Sequence, residues 1–153
     1  MAGKIIYLAI ICPALLLMWT GTSKAVTINM SSPQADPNIV LKPGDTVELT
    51  ITAANETRQR DIVVISLSMT MTYTDQNGQQ RTINLVRAER MRLILASGQT
   101  VIRAIETTLP EWLEAPVPPQ IVKVTIEASA KGLKTDTQSS DSLDFLVAMF
   151  WGT

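Results

Sequence analysis

Histidine is absent from the 153 residues, and cysteine occurs once, at Cys12. The first absence removes the commonest general base and the commonest metal ligand together, which excludes Ser-His-Asp triads and histidine-based metal sites. The second excludes a disulfide within the chain, so a packed core must hold the fold, and a chain of this length can supply one. Charge of either sign is sparse: 13 bases and 14 acids leave a net of −1, without the basic footprint that nucleic-acid binders carry. Aromatic residues are only 5% of the chain, which disfavours a surface that stacks on sugars. What is abundant is Val, Ile, Leu and Thr, the composition of strands and not of a helical bundle.

The first 25 residues stand apart. Lys4 opens a short basic start, an apolar run extends from Ile5 to Trp19, and the small-residue pattern Ser23-Lys24-Ala25 follows. This predicts an N-terminal hydrophobic helix acting as a secretory signal cut after Ala25. An uncleaved membrane anchor is the alternative, but the run is 15 residues with Pro13 inside it, short of the roughly 20 that a spanning helix wants. A lipoprotein reading of Cys12 fails because bulky Ile11 precedes it. Removing residues 1–25 takes two lysines and no acid, leaving 11 bases against 14 acids and a net of −3. Such a charge suits a soluble domain outside the membrane. Residues 26–153 are therefore expected to be one exported domain, periplasmic, extracellular or on the cell surface, touching a membrane only through residues 1–25 if these are kept.

From Val26 on, turn signals punctuate short alternating runs, the pattern of an all-β sandwich. Strands are expected at Val26 to Met30 and Thr46 to Ala53, the latter with Val47, Leu49 and Ile51 on one side. Between them lie a loop from Ser31 to Asn38 and a turn at Leu41-Lys42-Pro43-Gly44-Asp45, since proline presets its own backbone angle and glycine accepts a positive one. Asn55 to Asp61 reads as a polar connection. In ISLSMTMTYT, Ile65 to Thr74, every second residue is apolar, so Ile65, Leu67, Met69, Met71 and Tyr73 face one way. Asp75-Gln76-Asn77-Gly78 is a hairpin turn into Gln79 to Val86. Arg87 to Leu95 fits a strand through Met91, Leu93 and Leu95, or a helical turn through Ala88, Met91 and Leu95; the strand is expected here. After Ser97-Gly98 comes a strand from Thr100 to Leu109. PEWLEAPVPP, with four prolines in ten residues, is a rigid connection that folds Trp112 under it. Ile121 to Ala130 alternates with Val122, Val124, Ile126 and Ala128 inward, Gly132 to Ser142 reads as a polar loop, and SLDFLVAMFW is a last strand that is apolar on both faces.

Lys42-Pro43-Gly44-Asp45-Thr46-Val47, the alternating strand after it and Asn55 at the strand exit resemble the immunoglobulin-like modules of bacterial and archaeal exported proteins. The order LKPGDTVELTI, long central strand, SGQTVIRAIETTLP, Pro-rich link and IVKVTIEASA also resembles an arrestin-like sandwich. Together these cover most of Leu41 to Val147. The resemblance implies a two-sheet antiparallel β-sandwich of about seven to nine strands. Neither family brings catalytic residues to carry over, and the antibody-type cysteine pair is missing.

Few residues offer chemistry. Met69 and Met71, with Met91, could supply soft thioether ligands to copper(I), but on the same face as Ile65 and Leu67 they read first as core fillers. Asp136, Asp141 and Asp144 could feed a calcium site, although their spacing matches no calcium loop and solvated charge is the simpler reading. Asn55-Glu56-Thr57 is a glycosylation sequon in an expected loop, and Asn29-Met30-Ser31 a second one in or beside a strand. The second face of the last strand, Leu146 and Phe150 with Trp151 nearby and Trp112 on the proline-rich link, is the strongest interaction feature. It fits a buried strand, an interface for a protein partner or a second copy, or strand exchange as in fibre-forming subunits. The expectation is a non-enzymatic exported binding or structural module with no cofactor. A fibre-forming subunit, a methionine-based copper(I) protein, and a module binding ligands at one sandwich end are the alternatives.

Overall fold

The computed structural model describes residues 24–111 and 118–149. The expected N-terminal helix, Trp112, Phe150 and Trp151 lie outside the described residues, and among those described no helix is long and apolar enough to cross a membrane. Eight strands are described: β1 (Val26–Ser31), β2 (Val40–Leu41), β3 (Thr46–Asn55), β4 (Asp61–Thr74), β5 (Gln80–Leu95), β6 (Thr100–Thr108), β7 (Gln120–Gly132) and β8 (Gln138–Met149). They form a three-stranded sheet in the order β1-β3-β6 and a five-stranded sheet in the order β2-β8-β7-β4-β5.

Alternation decides which face each strand buries. Val47, Leu49, Ile51 and Ala53 of β3 and Val26, Ile28 and Met30 of β1 meet Val63, Ile65, Met69 and Met71 of β4, Val122, Val124, Ile126 and Ala128 of β7, and Phe145, Val147 and Met149 of β8 in one core. Leu67 and Tyr73 pack against it partly buried. The ISLSMTMTYT stripe thus faces inward as its period requires. Phe145 is the largest fully buried side chain among the described residues, and burial of this kind contributes about 1.5–3 kcal/mol per large apolar side chain.

The β4–β5 hairpin forms where expected. Gly78 adopts φ 76°, open to glycine at no steric cost. The Asp75 carboxylate accepts hydrogen bonds from Arg81 Nε at 2.9 Å and from the amides of Asn77 and Gln79. The Arg81 bond, then these amides, hold the Asp75 carboxyl below its ordinary value. Residues 87–95 are strand, continuous with the preceding segment in the single strand β5. Its join is a bulge: opposite Met69 the register slips twice, with β5 carrying the extra residues.

Three expectations are corrected. The five-stranded sheet is mixed and not purely antiparallel, because Val40, between the expected loop and turn, and Leu41, expected in the turn, pair in parallel with Leu146 and Val147. Gly132 to Ser142 is not one polar loop: β7 runs to Gly132 and β8 starts at Gln138, paired with Lys131. The polar residues are in strand because they serve an edge. The Val26 amide donates to Thr137 Oγ1 at 3.1 Å and the Met30 amide to Asp141 Oδ2 at 2.7 Å. These side chains occupy donors that an edge strand would otherwise offer to another chain.

The third correction concerns Asn55 and Asp61, which end and begin strands and are fully buried. Asn55 continues the inward stripe of β3. Its Nδ2 donates to the carbonyls of Gln59, Leu95 and Ala96, and its Oδ1 accepts from the amide and hydroxyl of Thr57. Asp61 starts the inward stripe of β4 and accepts from the amides of Ile62 (2.7 Å), Lys134 (2.8 Å) and Thr135 (3.1 Å) and from the Thr135 hydroxyl. Together they tie the 56–60 and 133–137 turns over one end of the core, each buried polar atom finding the partners that burial demands.

Candidate interaction surface

The outer face of the five-stranded sheet is polar for most of its length. Ser66, Ser68, Thr70 and Thr72 of β4 look outward, and the paired positions on β7 include Ser129, Glu127, Thr125 and Lys123. Paired residues of neighbouring strands share a face, so the register locates where this changes. Lys123 and Val40 both pair with Leu146, and Ile121 pairs with Ala148. Leu146, Ala148, Val40 and Ile121 therefore form an apolar patch across β2, β8 and β7, at the end of the sandwich opposite the first residue of β1. Ile121 is 55% exposed and Val40 46%, whereas Leu146 and Ala148 are half-buried. Lys123, bridged to Asp144 at 3.7 Å, and Thr125, bonded to Asp144 at 2.7 Å, close it with polar groups.

Of the residues expected at an interface, Leu146 is thus at the centre of an outward apolar surface. Val40 and Ile121 were not among them. Their signals were the apolar run Ile39-Val40-Leu41 ahead of the proline turn, and the place of Ile121 out of phase with the inward Val122 and Val124. Leu146 and Val147 are flanked by β2 on one side and β7 on the other, so at these residues β8 is not a bare edge.

The remaining candidates sit elsewhere. Met69 and Met71 are buried in the core and Met91 is partly buried against it. Met91 pairs with Ile65, four residues along β4 from Met69, a separation of roughly 13 Å at the rise of a strand. The aspartates of the supposed calcium loop are dispersed: Asp136 lies in the 133–137 turn beside Lys131, Asp141 holds the Met30 amide, and Asp144 holds Thr125. Among the described residues no three Asp, Glu, Cys or His side chains converge on a metal position. The glycosylation expectation at Asn55 is corrected, because its amide nitrogen is buried and donates to three carbonyls. A glycan cannot occupy that nitrogen in this fold. Asn29 is exposed on β1.

No protein-family model and no curated protein sequence matches the chain. Solved structures do. The sporulation control protein Spo0M of Bacillus subtilis superposes with a TM-score of 0.58 at 14% identity, over 82% of this chain and 50% of that one. The CARDB domain of a Pyrococcus furiosus protein, solved in complex with di-metal ions, gives 0.50 at 11% identity, over 82% of this chain and 89% of that domain. The fold is an immunoglobulin-like β-sandwich. At these identities the likeness concerns the fold alone, and the chain spans half the length of the sporulation control protein. The alkylpurine DNA glycosylase of Pseudomonas fluorescens, bound to DNA containing an abasic site analog, superposes at 0.50 over only 31% of its length.

Proposed function

We propose that this chain is an exported, non-enzymatic binding or structural module, an accessory or assembly subunit in the periplasm or at the cell surface that uses the apolar end of β2, β7 and β8 as its contact surface. The observation that carries this reading is the outward patch of Val40, Ile121 and Leu146 on an otherwise polar sheet face. A contiguous apolar area rimmed by polar residues is the signature of a protein contact. In the sequence Phe150 continues the alternation of Leu146 and Ala148. The occupant is a protein partner or a second copy of the chain.

Sedimentation velocity of the full chain, alone and with extract from its own cells, tests the reading. Wild type is expected to sediment as a complex or oligomer, and Ile121→Ser with Leu146→Ser as a folded monomer. A double variant that folds and associates like wild type removes the patch from the account. Fractionation of the same cells tests export: the reading fails if the protein is recovered with cytosolic markers.

A further inference from the structure

The opposite end of the sandwich carries a different surface. The 56–60 turn, the 133–137 turn and the residue before β1 enclose an open concavity of about 460 Å³, lined by Lys24, Thr57, Arg58, Gln59, Lys134 and Thr135, with Thr137 at its side. Its floor is fixed. Thr57 donates to the Asn55 side chain, Thr135 donates to Asp61, and Thr137 holds the Val26 amide. These hydroxyls are committed inward, so the donors left to face the opening are the exposed side chains of Lys24, Arg58, Gln59 and Lys134. Among the described residues Lys24, Arg58 and Lys134 form no ion pair, whereas Lys131 and Asp136 nearby pair with each other at 3.4 Å. Asp61 below the floor has its charge met by four donors. A chain of net charge −1 thus gathers around one concavity three cations that form no ion pair among the described residues.

We propose that this concavity is a binding site for a phosphate group. Guanidinium and ammonium donors lining one concavity beside an amide are the chemistry that recognises a phosphate oxygen set. The position of Lys24 points to the source. It lies five positions after Trp19, the end of the apolar run, a reach of at most roughly 18 Å in an extended chain. If residues 1–25 hold the chain in a bilayer, this end of the sandwich lies at the headgroups, where anionic lipids attract clustered Lys and Arg. Ile94 and Leu133, 59% and 49% exposed, stand beside it; the Leu133 amide donates to the Ile62 carbonyl, and Ile62 pairs with Ile94. The site also depends on processing. The Glu56 amide donates to the Ala25 carbonyl at 3.2 Å, so a cut after Ala25 would take away both Lys24 and this link between β1 and the 56–60 turn. None of this depends on the contact role of the other end.

The test uses the full chain in neutral detergent micelles at constant ionic strength, following the backbone amide resonances of Arg58, Gln59 and Lys134. Inorganic phosphate is titrated in one arm and phosphatidylglycerol in the other. Saturable shifts confined to these turns are expected, with affinity reduced roughly tenfold or more in Arg58→Gln with Lys134→Gln, as loss of charge-assisted bonds requires. Saturation by phosphatidylglycerol at the lower concentration makes the headgroup the ligand; saturation by inorganic phosphate at an equal or lower one makes it a free anion. Shifts that never saturate in either arm, or that the double variant leaves unchanged while its other resonances match wild type, overturn the proposal.

Discussion

Asp61→Asn is the sharpest perturbation of the fold, because it keeps the shape of a buried side chain and changes only its charge and one acceptor. The carboxylate accepts three backbone amides and the Thr135 hydroxyl. An asparagine must aim its NH2 either at the Thr135 amide or at the amides of Ile62 and Lys134, so at least one of these donors loses its acceptor. The surviving bonds lose their charge assistance as well. With bonds to charged groups worth about 1.5–3 kcal/mol each and an orphaned donor costing a similar amount, the loss should be about 3 kcal/mol. For a domain of this size that lowers the melting temperature by about 10 °C. Acid should shrink the difference. Burial alone would raise the Asp61 carboxyl, but the Thr135 hydroxyl and the amides of Lys134, Thr135 and Ile62 overcome it and hold the group below its ordinary value. A carboxyl depressed on folding contributes fully above its unfolded pKa, about 3.9, and the contribution disappears as pH falls through the lower folded value. Urea denaturation from neutral pH into this acid range, with amide exchange at Lys134 and Thr135, measures both effects. A neutral-pH loss under about 1 kcal/mol, or unchanged exchange in the 133–137 turn, would refute this reasoning.

Two further substitutions probe the same end of the sandwich and the β1 edge. A side chain at Gly132 would collide with the Asp61 carboxylate and the Thr135 hydroxyl and touch Val26; Gly132→Ala should therefore cost about 1–3 kcal/mol in denaturant unfolding, and a neutral result would mean that the turn is looser than described. Ser139 lies between Thr137 and Asp141, the side chains that hold the β1 amides, yet its own buried hydroxyl has no partner among the described residues. Ser139→Ala should be neutral or stabilising by up to about 1 kcal/mol, and a clear loss of stability would show that the hydroxyl is bonded after all.

Legibility in the sequence followed a physical line. Strands β3, β4 and β7 were readable because each sets apolar side chains on one face and polar ones on the other for at least eight residues, which only a half-buried strand requires. Strand β2 could not be read: two residues contain no period, and their parallel pairing with Leu146 and Val147 is a tertiary fact. The start of β8 was hidden for another reason. Ser139 and Asp141 occupy inward positions, and Asp141 there holds the β1 edge instead of packing in the core, so the stretch looks polar throughout. Asn55 and Asp61 were misplaced by the same logic, since polar residues between strands are normally solvent-facing, whereas here their burial is offset by hydrogen bonds to two turns. For the interaction surface, the two-faced composition of the last strand exposed Leu146. Its neighbours Val40 and Ile121 became visible only through strand order.

The contact surface is the claim on which the functional reading rests, and a photo-crosslinking residue introduced in cells at Ile121, with Thr70 as the control position, tests it most directly. Both positions look outward from the five-stranded sheet, but only Ile121 lies in the apolar patch. The account predicts a discrete crosslinked product from Ile121, of twice the chain's mass for a second copy or of one defined larger mass for a partner, and none from Thr70. No product from Ile121, or the same products from both positions, would contradict it.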